Sequence, residues 1–184
     1  MEAFSKFIAV VILVIFVFLV PLMNVGEKSD TVTQSYVNSL TTDFVENVRK
    51  QGRITQDMYN KFIENLSSTG NTYDIEFVHT HTVVNPEYND DGTITTTTYD
   101  DHYYTEEIMS ILFGGLDAEY EEEYLKAGKV LGEYRMYKGD YFTVTVKNRN
   151  FTLATRLRNV VFRNRFPAET IVVTYGGEIE DENY

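Results

Sequence analysis

Three histidines carry the most suggestive chemistry in this chain. His79 and His81 stand two apart in TYDIEFVHTHTVV, residues 72–84, and His102 follows in the next run of strand-like sequence, TITTTTYDDHYY. Alternation along a strand puts His79 and His81 on one face. Neutral imidazole together with a carboxylate is a ligand set for zinc, so His79, His81, His102 and Asp100 form a candidate metal site. Strand register decides whether they meet. A turn centred on Asp90 and Asp91 sets His79 opposite His102 and His81 opposite Asp100. A turn at Glu87 and Tyr88 instead slides His102 several residues along the strand from His79, too far for one metal. Pro86 weighs against the longer strand, because it has no N–H for the ladder. The competing reading is that all three are ordinary strand histidines.

The segment between these strands, NPEYNDDG, contains Glu87, Asn89, Asp91 and Gly92 at the spacing of the first half of an EF-hand loop. The twelfth position is Thr98, where a bidentate Glu is required, so an acidic hairpin tip is the better reading. The chain has no Cys, no G-x-S-x-G and no Gly loop suited to phosphate. Gly114-Gly115 and Gly176-Gly177 read as turns. No cofactor is implied, and the chain is expected not to be an enzyme.

The elements that would position these residues are α+β. Val32, Tyr36, Leu40, Phe44 and Val48 recur every four residues, widened by Val37 and Val45, and predict an amphipathic helix that stops at Gly52. A second helix should start with Thr55 as N-cap and end by Gly70, with Met58, Phe62, Ile63 and Leu66 inward. Strands are expected at residues 72–84, 93–104, 141–147 and 170–175. Short helices are expected at 106–113 and 117–126. A longer one over 152–164 should turn Leu153, Leu157, Val160 and Val161 inward and its arginines outward. Thr-rich strands suit an antiparallel sheet with one solvated face.

Ahead of all this lies FIAVVILVIFVFLVPLM, seventeen residues from Phe7 to Met23 without a charge. As a helix it rises about 25 Å, near the lower limit for a bilayer core of about 30 Å. It is apolar all round, unlike the single stripe of a helix packed on a soluble core. It is longer than a signal-peptide core and is followed by no A-x-A cleavage pattern. The expected organisation is therefore a transmembrane anchor and flank at 1–28, an α+β domain at 29–177 and an acidic tail at 178–184. Lys6 and the amino terminus favour a cytoplasmic N-terminus and an extracytoplasmic domain. The expected location is the cell membrane, with a single pass.

Charge is segregated within a net −12. No Lys or Arg lies between Lys61 and Lys126, whereas Tyr141 to Ala168 contains no acid. One reading has the two stretches neutralise each other within the fold. The other makes them complementary surfaces between subunits, with Arg156, Arg158, Arg163 and Arg165 on one side and Glu119, Glu121, Glu122 and Glu123 on the other. Nucleic acid is not an expected partner, because the acidic chain repels phosphate.

The order of elements resembles that of type IV pilins and pseudopilins: an apolar N-terminal helix, an amphipathic continuation and an antiparallel sheet. The likeness covers residues 1–85, includes Pro21 near the end of the apolar run, and carries no processing-motif residue. Gly26 is expected to interrupt the helix. The segments GRITQDMYNKFIENLSSTGNTYDIEF and TIVVTYGGEI also resemble uncharacterised single-pass envelope proteins of Gram-positive bacteria. These resemblances imply a structural subunit of a pilus-like or transfer assembly, with the bilayer and other copies or other envelope subunits as partners. An anchored sensory or ligand-binding ectodomain is the alternative. If the apolar run is an uncleaved anchor, membrane-extracted protein retains Met1 to Met23. Intact mass should then match the whole chain of 21.3 kDa, and a mature start beyond residue 20 would contradict the anchor.

Overall fold

Helix α1 runs unbroken over Glu2–Gln51, 50 residues or about 75 Å of axis. The computed structural model describes residues 2–89, 93–126, 128–163, 166–168 and 170–180. Along α1 the environment changes completely. From Phe4 to Val20 nearly every side chain is exposed, whereas Val37, Thr41, Phe44, Val45 and Val48 are buried. The buried stripe is thus rotated from the expected one. Phe44 and Val48 belong to it and Leu40 is partly buried, but Val32 and Tyr36 face outward. Val37 and Val45, expected only to widen the stripe, are its centre. Gly26 does not interrupt the helix. It is buried against Ala154, and a Cβ at position 26 would lie 3.1 Å from the Ala154 Cβ. The glycine provides close approach between helices rather than a break.

The helix ends where the sequence says it should. Gly52 takes a φ of 61°, and its N–H donates to the Val48 carbonyl at 2.8 Å, the left-handed termination that glycine accepts without strain. Strand β1 (Arg53–Thr55) follows, then α2 (Gln56–Ser67), whose N-cap Thr55 accepts from the Met58 N–H. A hairpin of β2 (Tyr73–Tyr88) and β3 (Ile94–Tyr104) leads to α3 (Thr105–Phe113) and α4 (Ala118–Lys126). Strand β4 (Glu133–Arg135) pairs with β1. Strand β5 (Tyr141–Asn148), helix α5 (Leu153–Phe162) and strand β6 (Val172–Glu178) complete the chain. The main sheet is antiparallel with order β3-β2-β5-β6. The β1–β4 pair is too short to announce itself as a period in the sequence.

One face of the sheet meets α1. Phe77 of β2, Phe142, Val144 and Val146 of β5 and Val173 of β6 are buried on it. Phe44 stacks between Phe62, with ring centroids 4.4 Å apart, and Phe77 at 5.9 Å; Phe142 continues the row at 5.7 Å from Phe77. The other face carries Thr145 and Thr174, bonded through their hydroxyls, and the Lys147–Glu76 and Arg149–Asp74 ion pairs. This is the solvated Thr-rich face expected of the strands. Phe44→Asp should lower stability by several kcal/mol, because it leaves an unpaired charge amid aromatic rings. Thermal melting in detergent would register it, and an unchanged midpoint would mean that the aromatic row does not hold α1 to the sheet.

Candidate functional site

The hairpin register places the histidines. His79 pairs with Tyr103, Thr80 with His102 and Thr82 with Asp100. This is one residue away from the expected register, and a slip of one exchanges the faces of the sheet. His102 and Asp100 therefore lie on the opposite face from His79 and His81: His102 Nδ1 meets Thr80 Oγ1 at 3.0 Å, and Asp100 accepts from the Thr82 hydroxyl at 2.8 Å. The expected four-residue metal set is not brought together. Pro86 does lie in the long strand, paired with Thr96. Strand β5 pairs with β2 only as far as Thr80, so the β2 edge beyond is open and tolerates a residue without an N–H. In the EF-hand-like stretch, Glu87 and Thr98 lie within strands, and Asp91 and Gly92 lie outside the described residues.

His79 and His81 converge on a residue that sequence reasoning missed, Asp140. It sits 3% exposed just before β5, after a turn made by Gly139 at φ 92°. Its Oδ2 accepts from His79 Nε2 at 2.8 Å and from the Tyr137 N–H at 2.7 Å, and its Oδ1 accepts from His81 Nδ1 at 2.6 Å. Burial pushes the Asp140 pKa up. The hydrogen bonds from His79, His81 and the Tyr137 N–H outweigh it and hold the carboxyl below its ordinary value. The carboxylate fixes the tautomer of His79: Nε2 carries the proton, so Nδ1 accepts from the Tyr134 hydroxyl at 2.6 Å. Burial raises the Tyr134 pKa strongly, which keeps it a neutral donor. Tyr103 stacks on the His79 ring at 5.3 Å. The Asp140 signal in the sequence was a lone KGD turn before a strand, 59 residues from His81.

This chain of donors leaves His79 without a free nitrogen and His81 with only Nε2. Among the described residues no group of three His, Cys, Asp or Glu side chains is arranged to hold a metal. Beside the network opens a cleft of about 430 Å³, lined by His81, Tyr103, Tyr120, Tyr134 and Tyr137 among others. The arrangement satisfies the oxygens of a buried carboxylate with hydrogen bonds and fixes two imidazoles and a phenol at the cleft wall.

The residues expected to join subunits are on separate helices. Glu119, Glu121, Glu122 and Glu123 lie on α4; Arg156 and Arg158 lie on α5, with Arg163 as its C-cap. Arg165 lies outside the described residues. Among the described residues no ion pair joins the α4 acids to these arginines. Arg158 pairs with Glu27 of α1 at 3.1 Å, and Glu122 pairs with Lys126 of its own helix at 2.7 Å. Helix α5 also departs from expectation: Ala154 and Thr155 are its buried residues, while Leu153 and Val160 face outward. Searches against protein families, curated proteins and solved structures find no match to this chain.

The sign of the Asp140 effect is fixed by its depressed pKa. Stabilisation from a carboxyl held below its unfolded value is complete above about pH 4 and is lost as pH falls through the folded value. Asp140→Asn should cost roughly 1–3 kcal/mol at neutral pH by leaving buried donors unsatisfied. Denaturation followed against pH should show the gap between the two proteins closing below pH 4. A gap independent of pH would assign the loss to packing instead.

Proposed function

We propose that the protein is a membrane-anchored, non-catalytic structural subunit of a pilus-like or transfer assembly of the cell envelope. Helix α1 crosses the membrane once, with its N-terminus cytoplasmic and the α+β domain outside. One observation carries this reading: a single unbroken helix is packed on an antiparallel sheet through its second half and leaves the apolar run from Phe7 to Val20 almost wholly exposed. The N-terminal helix is long and apolar enough to span a membrane. Exposed side chains such as Phe7, Ile12, Leu13 and Ile15 surround its axis, so it needs lipid or partner helices around it. The architecture agrees with the resemblance to pilins, in which one helix serves both membrane and sheet. Packing between such helices supplies cohesion in a membrane, where apolar burial alone gives none.

The absence of native cysteine makes a direct test available. Ile12→Cys combined with Val17→Cys puts two thiols on different sides of α1. Oxidation in native membranes should then yield a ladder of multimers, formed with other copies or with other envelope subunits. Monomer alone would overturn the assembly reading, and release of the protein by alkaline washing would overturn the anchor. The cleft beside His81 favours a second reading, an anchored sensory or ligand-binding ectodomain, since its volume suits a small molecule. A small-molecule screen that raises the melting midpoint, with no crosslinked ladder, would select that reading.

A further inference from the structure

Helix α5 does not pack like the other helices of the domain. It lies antiparallel beside α1, where the exposed apolar run gives way to polar sequence. At its start the Thr152 hydroxyl donates to Asp30 at 2.7 Å, and Ala154 crosses Gly26. At its end Val161 and Phe162 line a small cavity with Phe16, Leu19, Val20 and Met23. Its C-terminal turn therefore reaches back along the apolar run, past the level at which Met23 closes it.

The outward face has the composition of a membrane surface helix. Leu153 is 55% exposed and Val160 is 77% exposed, and Leu157 lies between them at helical spacing. Phe162 is 56% exposed at the tip. Arg156 and Arg163 flank this face and are exposed, and the segment from Tyr141 to Ala168 contains no acid. A short helix with an apolar face and only basic charge of its own matches an anionic lipid interface, where apolar side chains bury at the headgroup boundary and basic ones meet phosphate. Its position matters as much as its composition. At its tip Val161 and Phe162 join the apolar surface of α1 at the end of that surface, where a bilayer boundary would fall.

We propose that α5 is a lipid-binding helix. Leu153, Leu157, Val160 and Phe162 insert into the outer leaflet of the bilayer that α1 crosses, and Arg156 and Arg163 bind anionic headgroup phosphates. This rests on the reading of α1 as a membrane anchor. It assigns the arginines of α5 to lipid rather than to the acids of a neighbouring subunit. It also gives the domain two points of membrane contact, which fix its tilt.

The test uses the full chain in vesicles of mixed zwitterionic and anionic phospholipid. Single cysteines at Val14, Thr97 and Val160 carry an environment-sensitive fluorophore. Lipids brominated near the headgroup should quench the label at 160 and shield it from aqueous iodide. The label at 14 should respond to lipids brominated deep in the chain, and the label at 97 to iodide alone. If 160 is as open to iodide as 97 while 14 is quenched by lipid, the anchor stands and the α5 proposal is overturned. If 160 is shielded from iodide yet untouched by brominated lipid, another protein copy covers α5, and the proposal is again overturned. If 14 itself is open to iodide, the anchor reading fails and takes this proposal with it. Arg156→Gln and Arg163→Gln should each weaken docking at 160 in anionic vesicles by roughly fivefold, the equivalent of about 1 kcal/mol per basic residue. They should have no effect in purely zwitterionic ones. Equal quenching in both lipids would overturn the headgroup role of the arginines.

Discussion

The Phe62–Phe44–Phe77 stack is the contact on which the rest of the molecule depends. Phe44 is the point where α1, α2 and the sheet meet, with rings 4.4 Å away on one side and 5.9 Å on the other. Two turns of α1 away on one side, Val37 covers the core; one turn away on the other, Val48 does so, and both are 0% exposed. Without this seam α1 would be a long helix with no reason to lie on the sheet. With it, the rest is constrained. Gly52 must turn the chain back, β1 must run past β4, and α2 must bring Phe62 under Phe44. The sheet is then left with one apolar face, already used, and one polar face that needs no partner.

Asp140 solves a different problem at the same sheet. A carboxylate in an almost dry position is costly unless its oxygens are all bonded. Here two imidazole N–H groups and one backbone N–H converge on it, and the Tyr134 hydroxyl completes the chain through His79. The network ties β2 to the turn before β5 and to β4. Its polar bonds set relative positions that a Val or Leu at the same places would leave free to slide. The cleft beside it owes its wall to this fixing.

The sequence made helices and strands legible wherever a period was long enough. The C-terminal end of α1, the Thr55 cap and the strands at Tyr73 and Tyr141 follow from spacing and from Gly or Thr at the boundaries. Three things were not legible, each for a physical reason. The hairpin register turns on one residue, and neither the acidic tip nor Pro86 distinguishes neighbouring registers, so His102 and Asp100 moved to the other face. The partner of His79 and His81 is Asp140, a contact across β2 and β5 that no local pattern encodes. The orientation of α5 could not be read because its Leu and Val positions have the spacing of a core helix; the same spacing serves a stripe that faces outward. Buried Ala154 and Thr155 are small, and small residues buried at a close helix crossing leave no hydrophobic stripe to see.

The unbroken course of α1 through Pro21 and Gly26 follows from what lies beside it. Pro21 removes the N–H that would reach the carbonyl of Val17, and glycine weakens a helix by roughly 1 kcal/mol relative to alanine. Two such residues five apart should make a hinge. Instead, α5 packs along this stretch, with Ala154 against Gly26 and with Val161 and Phe162 beside Phe16, Leu19 and Val20. Asn24 adds a local bond from its side-chain amide to the Val20 carbonyl at 3.1 Å. Arg158 reaches Glu27 from the same side. The weak segment of α1 is thus the segment that the domain braces. Gly26 is what permits the brace, since any side chain there would hold α5 away. The helix is braced where its own sequence would let it bend, so the folded domain sets the direction of the apolar half.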